Sequence, residues 1–345
     1  MNTVDESRFR PFGRGRAAPI GSVADTALAA RLAAYKRNVA GQYQSVAPNE
    51  IQSKAPPGVH TVSPKIDGEQ WFIFSAGGGD AALLSPTGRA ITGIPLTDEA
   101  ARLVGGQRIL AAGELFANGK PGRPRVHDVV SALGGGANAD VERLKFAPFD
   151  LLQDGNEDAG RLPFARRAER LHELFEGSAR LRPVDFRKAD GAGAVAALFD
   201  EWVARGGAEG IVVRCADGRI LKIKPEITID AAVVGYSEAS GGRIGRLLLA
   251  LLRPDGKFQL IGSVGAGFTD DERDAFHRAL SEDLVPAAYR KATPEGALYR
   301  FVRPRIVVEV KCNDLLAHRS DGSAIRRMAL NYSDKIGWTP IRNVP

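Results

Sequence analysis

The sequence predicts an α+β protein of two domains: a larger one built on antiparallel sheets with flanking helices, then a small C-terminal β-barrel. Three observations carry this expectation. The chain has 345 residues, more than a single hydrophobic core comfortably serves. From Val62 onward, strand-like runs and helical segments follow one another in mixed order, which suits segregated antiparallel sheets and helices. Near Ile229 the pattern changes to short strands broken by Gly and Pro-Asp-Gly turns around one helix.

Taken in order, the opening twenty residues are rich in Arg, Gly and Pro and read as flexible. The stretch "SVADTALAARLAAYKRNVAGQY" predicts a helix, with Ser or Asp near its start and Gly41 near its end. "SKAPPGVH" reads as a linker, and residues 1–60 are expected to form a basic N-terminal extension containing that helix. Strands are expected in "TVSPKIDGEQWFIFSA", "AALLSPTGRAIT", "QRILAAGELFA" and "RLKFAPFDLLQ". Helices follow at "PFARRAERLHELFEG" and "VAALFDEWVARG", and then strands at "EGIVVRCADG" and "RILKIKP", completing a domain over 61–228. Over 229–345, "DAAVVGYSE", "GRLLLALLRPDG", "KFQLIGSVGAGF" and "PRIVVEVKC" are short strands, with a helix at "TDDERDAFHRAL". Several short strands around one helix suit an oligonucleotide-binding (OB) fold.

Composition bounds the function. A hydrophobic content of 44% and a charged content of 26% are ordinary for a globular chain. The longest apolar run, "LLLALL", is far shorter than the roughly 20 residues that cross a bilayer, and the N-terminus lacks a secretory pattern. Two cysteines, Cys215 and Cys312, provide neither a disulfide framework nor zinc spacing, which fits a cytoplasmic location. The formal charge is +6, and residues 1–60 hold eight Lys/Arg against four acids, a net +4. That segment reads either as a solvated tail or as an arm contacting phosphate. The sequence contains no GxxxxGK[ST], HExxH or GxSxG, so P-loop, zincin and serine-hydrolase chemistries are not supported.

What remains is a series of lysines and carboxylates beside strands. Lys65-Ile66-Asp67-Gly68 is compatible with a strand-end turn or with a reactive amine. Glu114 lies in "AAGELFA" and Glu209 opens "EGIVVR". Lys222 and Lys224 are two apart in "LKIKP", a spacing that sends both amines to one face of a strand. Such a face carries repelling cations unless anions lie opposite, and a polyphosphate would supply them.

In order, KxDG, GE, FDLL, EGIVVR and KxK across about 160 residues resemble the covalent nucleotidyltransferase superfamily, and within it the ATP-dependent DNA ligases. The resemblance extends through "DAAVVGYSEASGGRIGRLLLALLRPDGKFQLIGSVGAGFTDDE" and "VRPRIVVEV" to Lys335. It implies an adenylation domain followed by an OB domain, acting as a monomer on nicked duplex DNA with ATP and Mg²⁺ or Mn²⁺. Under it, Lys65 attacks the α-phosphorus of ATP, AMP passes to a 5′-phosphate, and a 3′-hydroxyl seals the strand. A neutral amine is required, and nearby cations would help to provide it. Carried over residue by residue, Asp67 and Gly68 lie beside the reacting phosphate, and Glu114 holds the ribose or a metal water. Phe149 stacks on adenine or is a plain core residue, Glu209 lies by a divalent metal, and Lys222 and Lys224 grip the α-phosphate. In the barrel, Arg243, Arg246 and Lys335 are candidates for nucleic-acid contact. The chain departs from the family at Gln70, Pro86 and Tyr332, where arginines are usual, with Arg89, Arg326 and Arg327 nearby. An RNA ligase with the same chemistry, and a non-catalytic module that binds nucleic-acid ends, are the alternatives.

Overall fold

The computed structural model describes residues 3–118, 123–239, 241–312 and 325–341. They form two compact units, the first built from the chain up to Pro225 and the second beginning at Glu226. The first holds two sheets. A seven-stranded sheet runs in the order β1 (Arg10–Phe12), β2 (Gly15–Ala18), β7 (Ala90–Thr92), β6 (Ala82–Leu84), β5 (Glu69–Ala76), β8 (Arg108–Ala117) and β9 (Leu144–Asp154). A five-stranded sheet runs β10 (Arg187–Asp190), β4 (Val59–Lys65), β11 (Gly210–Arg214), β12 (Ile220–Ile223) and β3 (Gln44–Val46). All pairings are antiparallel except that of β12 with β3.

Side-chain alternation sorts the first sheet's residues into two cores. Trp71, Ile73, Ile109, Ala111 and Leu115 join one cluster, while Phe72, Leu110, Ala112 and Leu152 join the other. Successive strand residues point to opposite faces, so "WFIF" is buried on both sides rather than alternating apolar and polar. Helix α1 (Thr26–Asn38) closes the second cluster. The Asp25 carboxylate caps it, accepting from the N–H groups of Ala27 and Leu28 at 2.9 and 3.0 Å, and Leu28, Leu32 and Tyr35 form its buried stripe. α3 (Pro95–Val104) and α5 (Phe164–Leu174) cover the first cluster. α2 (Ile51–Lys54) and α6 (Gly191–Phe199) pack on the apolar face of the five-stranded sheet with Val62, Ile211, Val213, Leu221 and Ile223. α4 (Val126–Ala132) lies against β8 through Val129 and Ala132.

The first sixty residues depart from the expectation of an extension with a flexible start. β1 and β2 form a hairpin that completes the seven-stranded sheet, Phe12 is 3% exposed, and β3 joins the other sheet. The arginines of the opening twenty residues have partners within the chain. Arg8 donates to the carbonyls of Ile20 and Gly21, Arg10 to those of Ser7 and Phe9, and Arg14 and Arg16 pair with Glu142 and Glu6. Three- and four-residue strands leave no readable period, so the composition-based reading pointed the wrong way.

The second unit is a strongly bent sheet ordered β16 (Arg300–Phe301), β13 (Ile227–Ala239), β14 (Arg243–Leu252), β15 (Phe258–Val264), β18 (Ala329–Ser333) and β19 (Gly337–Pro340), with β17 (Val307–Cys312) also on β13. Register shifts in β13 and β14 mark bulges that let long strands curl. α7 (Asp270–Ser281) is capped by Thr269 and Glu272 in reciprocal hydrogen bonds. This OB-like barrel is the fold expected from the strand pattern.

If the hairpin is structural, Phe12→Ala should destabilise the protein by about 3 kcal/mol, while Ile20→Ala at an exposed site should be near neutral. Chemical denaturation of both variants checks this, and equal midpoints would return the segment to the status of a tail.

Candidate active site

Lys65 ends β4 and lies opposite Gly210 in the β4–β11 register. The next three residues, Ile66 to Gly68, carry the chain from the five-stranded sheet into β5 of the other sheet. Gly68 is required at the crossing, because a Cβ there would lie 2.2 Å from the Leu115 carbonyl oxygen. Gly210 is required for the same reason, with its Cβ position 2.3 Å from the Ile223 carbonyl oxygen. The two glycines let strands approach closely beside Lys65.

Glu209, just ahead of β11, bridges two amines. Its Oε2 accepts from Lys65 Nζ at 2.6 Å, and its Oε1 pairs with Lys224 Nζ. The Lys65 side chain is 22% exposed and that of Glu209 12%, so the amine does not project into bulk solvent. Burial opposes the Glu209 charge, but Lys65 and Lys224 outweigh it and hold its carboxyl below the usual range. Lys222 lies on β12 opposite Val212. Burial, then Lys224 and Lys65, push its ammonium down.

Across from these cations the seven-stranded sheet offers acids. Glu114 on β8 pairs in register with Gln70 on β5. Burial raises the Glu114 carboxyl to about 7, with Glu209 and Asp67 adding to the shift and Lys65 opposing it. Asp67 is likewise raised, by burial and then by Glu209, although Arg123 lies 3.9 Å away. Its Oδ1 accepts from the Val126 N–H at 3.3 Å. Burial and neighbouring negative charge raise Asp67 and Glu114, while Glu209 is held low by its two lysines, so Asp67 and Glu114 are the carboxylates whose charge a nearby cation would favour.

A cavity of about 220 Å³ opens between the two sheet faces, lined by Lys65, Gln70, Glu114, Phe149, Val212 and Lys222 among others. At about 30 Å³ per water it suits a small molecule rather than a polymer. Phe149 on β9 is half-buried and faces this space. Behind it, Asp150 is 4% exposed and accepts from Tyr35 Oη at 2.9 Å while pairing with Arg167, which braces the strand that presents the ring. A more open depression bordered by His172, Glu173, Glu176 and Asp185 has more acids than cations and does not suit a phosphate chain.

The structure therefore brings together Lys65, Asp67, Glu114, Phe149, Glu209, Lys222 and Lys224. It also places residues the sequence reading did not assign, Tyr43, Val184 and Arg214, on the cavity wall. Arg214 was legible in principle, because it shares a face with Val212, two residues back on β11. Arg89 does not stand in for the missing arginines. Its guanidinium lies over the Phe12 and Trp71 rings, whereas the cavity residue Gln70 is one position, and hence one sheet face, away from Trp71.

In the second unit, Arg243 is paired with Asp270 and Asp274, and Arg246 with Glu295. Tyr332 donates to Asp334 at 2.8 Å and packs on Trp338, so it is a barrel residue. Arg327 donates to the Ile261 carbonyl, Arg326 is exposed, and so is Lys335. Among the described residues there is no metal-binding group of three or more His, Cys, Asp or Glu, and no helix long and apolar enough to cross a membrane.

Residues 40–222 match the sequence family described as ATP dependent DNA ligase domain, and 240–328 match that described as ATP dependent DNA ligase C terminal region. A Streptomyces griseus protein described as "Probable DNA ligase" is 32% identical over 229 residues, 61% of this chain and 43% of that protein. "DNA ligase C1" of Mycolicibacterium smegmatis is 28% identical over 327 residues, 85% of this chain and 89% of that one. The chain spans about half, or less, of the length of several curated relatives it matches, among them a Streptomyces coelicolor protein at 52%. A solved structure described as "Pmar-Lig_Pre." superposes with a TM-score of 0.56 at 17% identity, covering 78% of this chain and 70% of that one, which shows a shared fold.

The brace behind Phe149 yields a stability prediction. Asp150→Ala leaves Arg167 without its buried partner and should cost about 3 kcal/mol, against about 1 kcal/mol for Tyr35→Phe. Denaturant midpoints check the order, and a smaller loss for Asp150→Ala would remove the ion pair from this role.

Proposed function

Because the chain belongs to the ATP-dependent DNA ligase family, we propose that it seals nicks in duplex DNA through a lysyl-AMP intermediate on Lys65. The observation that carries the reading is the meeting of Lys65, Glu209 and Lys224 in ion contact at the edge of a nucleoside-sized cavity. On their own wall Lys65, Lys222 and Lys224 face the single carboxylate of Glu209, and a triphosphate would supply further negative charge there.

In the first step Nζ of Lys65 in its neutral form bonds to the α-phosphorus of ATP, and the electrons of the broken P–O bond leave on pyrophosphate. The nearest acceptor for the lysine proton in the structure is Glu209, 2.6 Å away. Lys222 and Lys224 face the phosphate and offset its developing charge. Phe149 offers a ring for the base to stack on, and Glu114 lies where a ribose hydroxyl or a metal-bound water would be held. A divalent cation would be held by Glu209 and Glu114 and would supply charge neutralisation for the phosphates. The carboxyl at Glu114, raised to about 7, fits a position built for a shared cation or a hydrogen-bonded hydroxyl.

AMP then moves to the 5′-phosphate of a nicked strand, and a 3′-hydroxyl displaces it, with AMP leaving. The expected cofactors are ATP and Mg²⁺ or Mn²⁺, and the expected partner is nicked DNA. Gln70 and Tyr332, where family members usually carry arginine, provide no guanidinium for phosphate, so slow loading is expected.

Incubation with α-labelled ATP and Mg²⁺ should leave label on the denatured wild-type protein and none on Lys65→Ala. Label on both would take the nucleophile's role from Lys65, and label on neither would favour a binding module. Addition of a chelator should lower adduct formation by at least ~10²; undiminished labelling would exclude a metal requirement. Sealing of a nicked DNA duplex should exceed sealing of nicked RNA, and the reverse ranking would select the RNA ligase.

A further inference from the structure

Arg214 ends β11 and lines the cavity beside Tyr43, Phe149 and Lys222. Its guanidinium carbon lies 3.9 Å from the centroid of the Phe164 ring and 5.8 Å from that of Phe186. Stacking of this kind fixes the guanidinium plane. Its Nη1 is buried and has no hydrogen-bond partner among the described residues. An unmet buried donor is costly, and a ligand that brings an acceptor removes that cost.

The register states where along the cavity the donor lies. Lys65 faces Gly210, Ser63 faces Val212, and Thr61 faces Arg214, so Arg214 is four residues, about 13 Å of strand, from the amine. A nucleotide with its α-phosphate at Lys65 and its base on Phe149 would direct the base away from the lysines, toward Arg214. Arginine donates and never accepts. Adenine offers ring nitrogens as acceptors, while its exocyclic amine is a donor and does not suit a guanidinium.

We propose that Arg214 reads the base of the bound nucleotide by donating Nη1–H to a purine ring nitrogen, making it a specificity-determining residue of the adenylation site. This rests on the adenylation reading above. The neighbouring Lys222 serves the phosphate end, so the two cations of this wall divide the nucleotide between them.

The test is the rate of protein labelling with ATP, 1-deaza-ATP, 3-deaza-ATP and 7-deaza-ATP, in wild type and Arg214→Met. Each analogue replaces one ring nitrogen by carbon. Wild type should lose about ten-fold in kcat/KM with one of the three, since a site built to donate rejects a ligand lacking the acceptor. R214M, which keeps the length and apolar stem against Phe164, should lose a similar factor with ATP, mainly through KM, and should treat the four nucleotides alike. Equal use of all four by wild type, or an unchanged pattern in R214M, overturns the proposal. If R214M does not fold, the wild-type comparison alone decides it. No label with any nucleotide on wild type would remove the adenylation reading itself, a different outcome from label without discrimination.

Discussion

The carboxylate of Glu209 ties two strand ends together beside the cavity. It accepts from Lys65 at the end of one strand and pairs with Lys224 just beyond another. Each ammonium is half-buried, and taking such charges from water is expensive unless they are matched. One carboxylate cannot neutralise three lysines, since Lys222 adds a third positive charge whose proton affinity is already depressed by burial and by its two neighbours. The pocket is thus poised with excess positive charge on one wall and mutually repelling acids on the other. A metal–nucleotide complex, as proposed above, would bring negative charge to the first wall and positive charge to the second.

That arrangement depends on strand alternation more than on any single contact. The β4–β11–β12 sheet presents Val62, Ile211, Val213, Leu221 and Ile223 to its helices, leaving Ser63, Val212, Arg214 and Lys222 for the cavity. On the opposing sheet, Gln70 and Glu114 share a face with Phe72 and Ala112, the apolar continuation of the same surface. A one-residue slip in either sheet would exchange the cavity's polar lining for core. The close approaches at Gly68 and Gly210 act against such slips, because neighbouring carbonyls leave no room for a side chain at either position. The same alternation explains why Arg89, near in sequence to where a family arginine is usual, serves instead as a cap over Phe12 and Trp71.

The C-terminal unit has a different character. Its basic residues in the β13–β14 region are matched by acids from α7 and from the segment before β16, and Tyr332 is engaged within the barrel. Surface ion pairs of this kind are individually worth little, so a polyanion can compete for these arginines at modest cost. Exposed Lys335 needs no such exchange.

By itself the sequence determined the class of fold, and it offered the change of domain near residue 229 and the candidate site residues as expectations, because these rest on local signals: strand-like runs around "KIDG", the spacing of Lys222 and Lys224, the Gly and Pro-Asp-Gly turns of the second half. The tertiary structure alone decided what those residues face. Pairing between strands 144 residues apart joins Lys65 to Glu209, and no local period encodes that. It also turned an Arg-, Gly- and Pro-rich start into a hairpin on the sheet's edge, because strands of three or four residues gain their stability from a neighbouring sheet rather than from their own composition. Arg214 read as the end of an apolar run until the Phe164 ring and the cavity were in place, since burial and an unmet donor are properties of the folded surroundings.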